Sequence, residues 1–167
     1  MMEIPAALQA MLAGQHGSTK QKAARLVVDL AVTAGASSFV TCSHAHVSGV
    51  SPLTGGHGLR RFLADLAGDE EGVVSIPTTL NSAGCDKEQM QAMGIAEEDF
   101  LEQQFEIVHA YSKLGIEATL SCTPYDRGVD AGDGIGSWAE SNAVCFSNSY
   151  TSLITNRESG LSALATA

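Results

Sequence analysis

Residues 116–125, Ile116-Glu117-Ala118-Thr119-Leu120-Ser121-Cys122-Thr123-Pro124-Tyr125, decide the fold. The first five alternate apolar and polar side chains as a short strand does, and Pro124 has no N–H with which to continue a ladder. Cys122 is therefore expected where a strand gives out. Upstream, Leu101, Phe105, Val108 and Tyr111 supply one helical face, Glu97, Glu98 and Asp99 suit the positive end of the helix dipole, and Gly115 stops the helix. The unit reads helix, strand, polar loop.

The same order occurs twice before it. Ser18 and Gln21 make a capping-box start for a helix with Ala24, Val27, Val28 and Ala31 as its buried stripe and Gly35 as its stop. Residues 36–42 then read as a strand that runs into the polar word Ser43-His44-Ala45-His46-Val47-Ser48-Gly49. A further helix with Leu59, Phe62, Leu63 and Leu66 on one face precedes a strand at 73–76, which ends at Pro77 and a polar loop over 78–86. Strands alternating with helices predict an α/β fold of three layers, a mainly parallel sheet with helices on both faces. In such sheets the ligand crevice lies outside the carboxyl ends of the strands, where the three polar words fall.

The ends and the glycine-rich middle complete the outline. Ile4, Leu8, Met11 and Leu12 predict a short first helix. Gly128, Gly132, Gly134 and Gly136 among Asp126, Asp130 and Asp133 predict a mobile, substrate-covering loop over 126–136, with order resuming at Trp138. Residues 163–167 look like the middle of a helix that starts near Ser159 or Leu161 with no cap or tail, so an incomplete domain is expected.

Composition bounds the function. A chain of 167 residues, 44% hydrophobic and 17% charged, suits one globular domain. Its net charge of −10 argues against non-specific nucleic-acid binding, so an anionic substrate needs a local basic site. No apolar run reaches the roughly 18 residues of a membrane span and no signal-peptide pattern is seen, which predicts a cytoplasmic protein without membrane association. Cys42, Cys85, Cys122 and Cys145 form no C-x-x-C pair, so neither a zinc ribbon nor a thioredoxin-like site is indicated.

Several side chains have two readings. Cys122 is a buried structural thiol or an iron ligand. His44 and His46, two apart in an extended segment, share a face and are either solvated loop residues or a polar pair fit for metal or proton transfer. Thr78, Thr79 and Asn81 are turn formers or uncharged contacts for a small hydroxy acid. Glu140 and Ser141 open a helix, where a glutamate can simply complement the dipole. Arg157 is a surface cation or a bidentate anion partner, whereas Arg60 and Arg61 suit the solvated side of a helix.

The words Cys122-Thr123-Pro124-Tyr125, Trp138-Ala139-Glu140-Ser141-Asn142-Ala143-Val144, Pro77-Thr78-Thr79-Leu80-Asn81, His46-Val47-Ser48-Gly49 and Thr155-Asn156-Arg157 resemble, in order, signatures of the catalytic large-subunit domain of the aconitase X family. The resemblance covers residues 1–167 as the N-terminal portion of that domain, truncated at its C-terminus. It implies Cys122 as a metal ligand, Glu140 and Ser141 as catalytic residues, and His46, Ser48, Thr78, Thr79, Asn81, Asn156 and Arg157 as substrate contacts. It also implies an iron–sulfur cluster or mononuclear iron whose site is incomplete in this chain, and a small swivelling-type subunit or domain as partner. Where the family usually has an acidic residue, this chain has Gln15 or His16, and Leu161 stands where a proline is common.

The resemblance further implies a hydro-lyase that removes water from a small hydroxy acid, with phosphomevalonate dehydration ahead of cis-3-hydroxy-L-proline dehydration. Two other classes remain open: a metal-dependent hydrolase using His44 and His46, and a fragment or split subunit without activity of its own. Cys42, expected like Cys122 at a strand end, could approach Cys122 if their strands are neighbours, although strand-end positions alone do not establish thiolate geometry for the pair.

Overall fold

The computed structural model describes every residue except 1, 87, 90, 91, 93 and 95–97. Its elements run α1 Ala6–Leu12, α2 Gly17–Thr33, β1 His44–Val47, α3 Pro52–Leu66, β2 Thr78–Leu80, α4 Glu98–Lys113, a 3-10 turn Pro124–Arg127, β3 Gly134–Ala139, α5 Ser141–Tyr150, β4 Leu153–Glu158 and α6 Gly160–Thr166. The four strands form one parallel sheet in the order β2-β1-β3-β4. Helices lie against both faces, as the alternation predicts.

Paired residues of parallel strands share a face, and here the two faces differ in chemistry. Val47, Leu80 and Ala139 pack with Leu63 and Leu66 of α3, Ile107 and Tyr111 of α4, and Ala163 and Leu164 of α6. Burying each leucine there contributes about 1.5–3 kcal/mol, so this face holds most of the core. The other face carries His44, His46, Thr79 and Trp138, and α5 covers it through Ala143 and Val144 beside Trp138 and Leu153.

The strands begin later than periodicity predicts. Residues 36–42 and 73–76 form no strand; the polar words that were expected to follow them are β1 and β2 themselves. β1 and β2 are buried at every residue, so their polar side chains persist wherever neighbours satisfy them, and hydropathy alone misplaces the strands. The expected strand at 116–120 is reduced to one bridge, Glu117 with Thr79, bonded through Glu117 N to Thr78 O (2.9 Å) and Leu80 N to Glu117 O (3.0 Å). The 126–136 segment is no uninterrupted loop, since it contains part of the 3-10 turn and the start of β3.

Helix ends show similar corrections. Ser18 and Gln21 do not form a capping box: Ser18 Oγ and Thr19 N both donate to Asp69 Oδ2 (3.0 and 2.9 Å), which caps α2 from a distant loop. Those bonds hold the Asp69 carboxyl below the usual carboxylate range. Of the expected α2 stripe only Ala24 is fully buried. Ser159 and Ser162 do form a capping box, so α6 has the N-terminal cap that its sequence did not reveal. Arg60 is paired with Glu106 of α4, which gives it a partner beyond solvent. Glu97, expected at the start of α4, falls outside the described residues.

Candidate active site at the strand ends

The connections out of β1 and β3 lead in opposite directions. From β1 the chain crosses to β2 on one side, and from β3 it crosses to β4 on the other. Neighbouring strands that diverge in this way leave a crevice beyond their carboxyl ends. Ser48 and Gly49 follow β1 there, and Glu140 and Ser141 follow β3.

Glu140 takes φ 88°, a conformation that costs a non-glycine residue on the order of 1–3 kcal/mol. It makes the turn from strand to helix and caps α5, with Oε1 accepting from Asn142 N (3.2 Å). The other oxygen, Oε2, accepts from Asn81 Nδ2 across the crevice (3.5 Å). Asn81 is fixed in turn: its N–H donates to Val47 O (2.8 Å), prolonging the β1–β2 pairing, and its Oδ1 accepts from Ser82 N (2.6 Å). Ser82 Oγ lies 3.2 Å from Cys122 Sγ. Glu140, Asn81, Ser82 and Cys122 thus form one connected polar chain across three segments.

Cys122 reaches that position by a second strained turn. Leu120 has φ 47°, and Leu120 and Glu140 are the two non-glycine residues with positive φ among those described. Thr119 Oγ1 and Ser121 N both donate to Leu80 O (2.8 and 3.4 Å), which ties the segment to the end of β2. Both strained residues therefore adjoin the same cluster, where stored strain is commonly found.

The remaining predicted residues are spread more widely. His46 is fully buried in β1, and its Nδ1 is 2.8 Å from Thr79 Oγ1. Burial pushes its imidazole down to about 4, against a smaller upward pull from the Glu140 carboxylate, so His46 is neutral at pH 7. Thr78 is on the opposite face of the sheet, its hydroxyl donating to Ile76 O (2.8 Å), and the structure does not bring it to the cluster. Ser48 is half-buried beside the start of α6, where a Cβ on Gly160 would fall 2.4 Å from its carbonyl oxygen, so only glycine fits. Ser141 is exposed at the first turn of α5.

Asn156 and Arg157 are exposed on β4, at the edge of the sheet away from β2. Three strand spacings place the β4 backbone roughly 14 Å from that of β2. Arg157 thus stands apart from Cys122. Cys42 precedes β1 and Cys122 follows the end of β2, so the two thiols lie at opposite ends of the sheet, and the conditional pairing of Cys42 with Cys122 fails. Among the described residues no three His, Cys, Asp or Glu side chains are disposed to hold a metal ion. The described donors do not by themselves fit a complete iron or iron–sulfur site.

Three participants carried little sequence signal. Ser82 is an ordinary loop serine until it is seen against Cys122. Trp138 lies within a recognisable word but read as the return to order; it is buried against both histidine rings, at centroid distances of 5.5 and 5.6 Å. His44, which lies outside the family-like His46 word, accepts the Trp138 indole N–H (3.1 Å) and is also lowered to about 4 by burial.

Comparison with known proteins gives this architecture its class. The family description "Aconitase X first domain" matches residues 1–167, and the chain belongs to the aconitase X family. It is 39% identical over 160 residues to the phosphomevalonate dehydratase large subunit of Methanosarcina mazei and 41% identical over 161 residues to that of Thermococcus kodakarensis, covering 94% of this chain in each case. The cis-3-hydroxy-L-proline dehydratase of Pseudomonas aeruginosa is 35% identical over 151 residues, 89% of this chain and 25% of the relative. The crystal structure of Thermococcus kodakaraensis aconitase X in its holo-form superposes with a TM-score of 0.84 at 38% identity, over 99% of this chain and 40% of that one. The chain spans about two fifths of the phosphomevalonate dehydratase large subunits, 39% and 38% of their lengths. No helix among the described residues is long and apolar enough to cross a membrane.

Proposed function

We propose that this chain is the first domain of a hydro-lyase that removes water from a small hydroxy acid, acting on phosphomevalonate or a close analogue. Similarity to the phosphomevalonate dehydratase large subunits supports that substrate, and the lower identity to the hydroxyproline enzyme makes cis-3-hydroxy-L-proline the second candidate. The observation that carries the proposal is the continuous chain Glu140–Asn81–Ser82–Cys122 at the point where the strands diverge.

Dehydration needs a group that takes a proton beside a carboxylate and a group that assists departure of hydroxide. Glu140 is the carboxylate placed for proton transfer, oriented by Asn81 and by the first turn of α5. Ser141 follows it at the mouth of the crevice, where a hydroxyl can orient the substrate. His46, Ser48, Thr79 and Asn81 contribute uncharged contacts, and Thr78 acts through the backbone of β2 that it braces. Asn156 and Arg157, at the other edge, take the anionic end of an extended substrate, the guanidinium binding it bidentately.

Cys122 is one ligand of an iron centre whose other ligands come from outside this chain. Such a centre supplies a Lewis acid for the departing hydroxide. A small swivelling-type subunit closes over the crevice in the assembled enzyme, which acts in the cytoplasm. The isolated chain therefore binds iron poorly and turns nothing over. The hydrolase reading is weaker, because His44 is committed to Trp138 and His46 to Thr79. The test is anaerobic assay of the assembled large and small subunits with 5-phosphomevalonate and, separately, cis-3-hydroxy-L-proline. Release of the dehydrated acid from the first supports the reading, and turnover of neither overturns it.

A further inference from the structure

Leu101, Val108 and Tyr111 mark the apolar face of α4, and Gln104 stands on that face, three residues after the first and seven before the last. It is 3% exposed, so both ends of its amide need partners inside the protein. They find them on two different loops. Nε2 donates to Val50 O (2.8 Å) in the connection from β1 to α3, and Oε1 accepts from Gly84 N (2.8 Å) in the loop that leaves β2. A carbonyl can only accept and a backbone N–H can only donate, so both partners demand the same orientation of the amide. Gly84 is packed tightly at this point: a Cβ there would fall 2.4 Å from Ser51 Oγ and 3.0 Å from Gln104 Oε1, so only glycine fits. Two turns further along α4, the Tyr111 hydroxyl donates to Gly49 O (3.2 Å) and so holds the first loop but not the second.

The two loops carry the candidate site. Ser48 and Gly49 leave β1 on one of them, and Asn81 and Ser82 open the other, with Ser82 Oγ 3.2 Å from Cys122 Sγ. Asn81 N, bonded to Val47 O (2.8 Å), holds the second loop at its root, and Gln104 holds it again at Gly84, so Ser82 is fixed from both sides. We propose that Gln104 is a positioning residue: its amide sets the separation of the two loops and thereby holds Ser82 against Cys122. An apolar side chain of similar length would fill the same space on α4 but could bond neither loop. The bracket follows from this chain alone, whereas its effect on turnover rests on the dehydratase reading. That reading gives the anionic end of the substrate to Arg157 at the far edge of the sheet, so loosening the two loops should affect kcat more than KM.

NMR couplings across hydrogen bonds in the isotope-labelled chain report the bracket directly. They should run from Gly84 N to the Gln104 side-chain carbonyl and from Gln104 Nε2 to the Val50 carbonyl, and the absence of either overturns the bracket. Amide exchange then separates positioning from general support of the core. Gln104→Met should speed exchange at 82–84 about tenfold, as expected for one lost hydrogen bond, while 45–47 in β1 keep their protection. Tyr111→Phe should leave 82–84 unchanged. Equal acceleration at both segments in Gln104→Met, none at 82–84, or the same acceleration there in Tyr111→Phe overturns the positioning role. Should Gln104→Met not fold, Gly84→Ala breaks the bracket from the loop side with Gln104 intact, and the same outcomes decide. In the assembled enzyme, Gln104→Met should lower kcat about tenfold and leave KM within about twofold, the mark of misplaced reacting groups. An unchanged kcat, or a loss carried wholly by KM, overturns the catalytic consequence. Turnover of neither substrate by the unmodified enzyme would sink the dehydratase reading and leave the couplings and exchange rates standing, so the two failures are distinguishable.

Discussion

The two ends of the sheet are built from opposite materials. At the carboxyl end, two strained turns bring Glu140, Asn81, Ser82 and Cys122 into hydrogen-bonding sequence. At the amino end, the segments that enter β1 and β2 contribute Phe39, Val40, Cys42, Val73 and Ile76 to an apolar cavity of about 350 Å³. Each end has a half-buried cysteine, Cys122 at the first and Cys42 at the second. Burial and the charge of Glu158 push the Cys42 thiol up, which disfavours the thiolate a metal requires. A polar site needs neighbours that satisfy one another, and the comparison shows that the fold supplies them at one end.

The comparison breaks first at Glu140. In the assembled enzyme, Glu140→Gln should lower kcat by about 10²–10⁴-fold, the usual contribution of a positioned acid or base. Cys42→Ala at the other end should leave kcat within about twofold. Steady-state kinetics on both variants checks the contrast, and equal losses would remove the distinction between the ends.

The apolar face of the sheet yields a purely structural effect. Leu63→Ala should cost about 2–5 kcal/mol, because Leu63 is completely buried among α4 and the strands. Urea unfolding followed by circular dichroism measures it. The polar face should instead reveal itself through pH. Both β1 histidines are lowered to about 4 in the fold, while the unfolded chain protonates them near 6.5. Between those values the unfolded state binds more protons, so stability is full above pH 6.5 and falls as the pH drops toward 4. A loss of a few kcal/mol across that window is expected in urea titrations, reduced when either histidine is replaced by glutamine. The smallest effect belongs to α6: Ser159→Ala should cost about 1 kcal/mol through loss of its capping box.

The helices were readable from sequence because their apolar residues recur at fixed spacing and glycines stop them. The strands were harder, and for a physical reason. Val73 and Ile76 are apolar because they line the cavity, not because they belong to the sheet, while His44 and His46 of β1 and Thr78 and Thr79 of β2 look like loop residues although they are buried strand residues. Pairwise satisfaction between His46 and Thr79, or His44 and Trp138, depends on strands 33 and 94 residues apart and leaves no local pattern. β4 escaped notice entirely, since 153–158 alternates weakly and ends in charge. Cys122, Asn81 and Glu140 were legible as words, but their connection through Ser82 was not. Arg157 was equally legible, yet the order of strands sets it at the far edge of the sheet.

Iron and sulfide analysis under anaerobic conditions tests the central claim most directly, that the functional end is the one holding Cys122. The assembled large and small subunits should contain a stoichiometric iron centre that Cys42→Ser retains and Cys122→Ser loses. The chain of residues 1–167 alone should contain little iron. Iron that survives Cys122→Ser but disappears with Cys42→Ser, or a complete cluster in the isolated chain lost on Cys42→Ser or Cys85→Ser, would contradict the account.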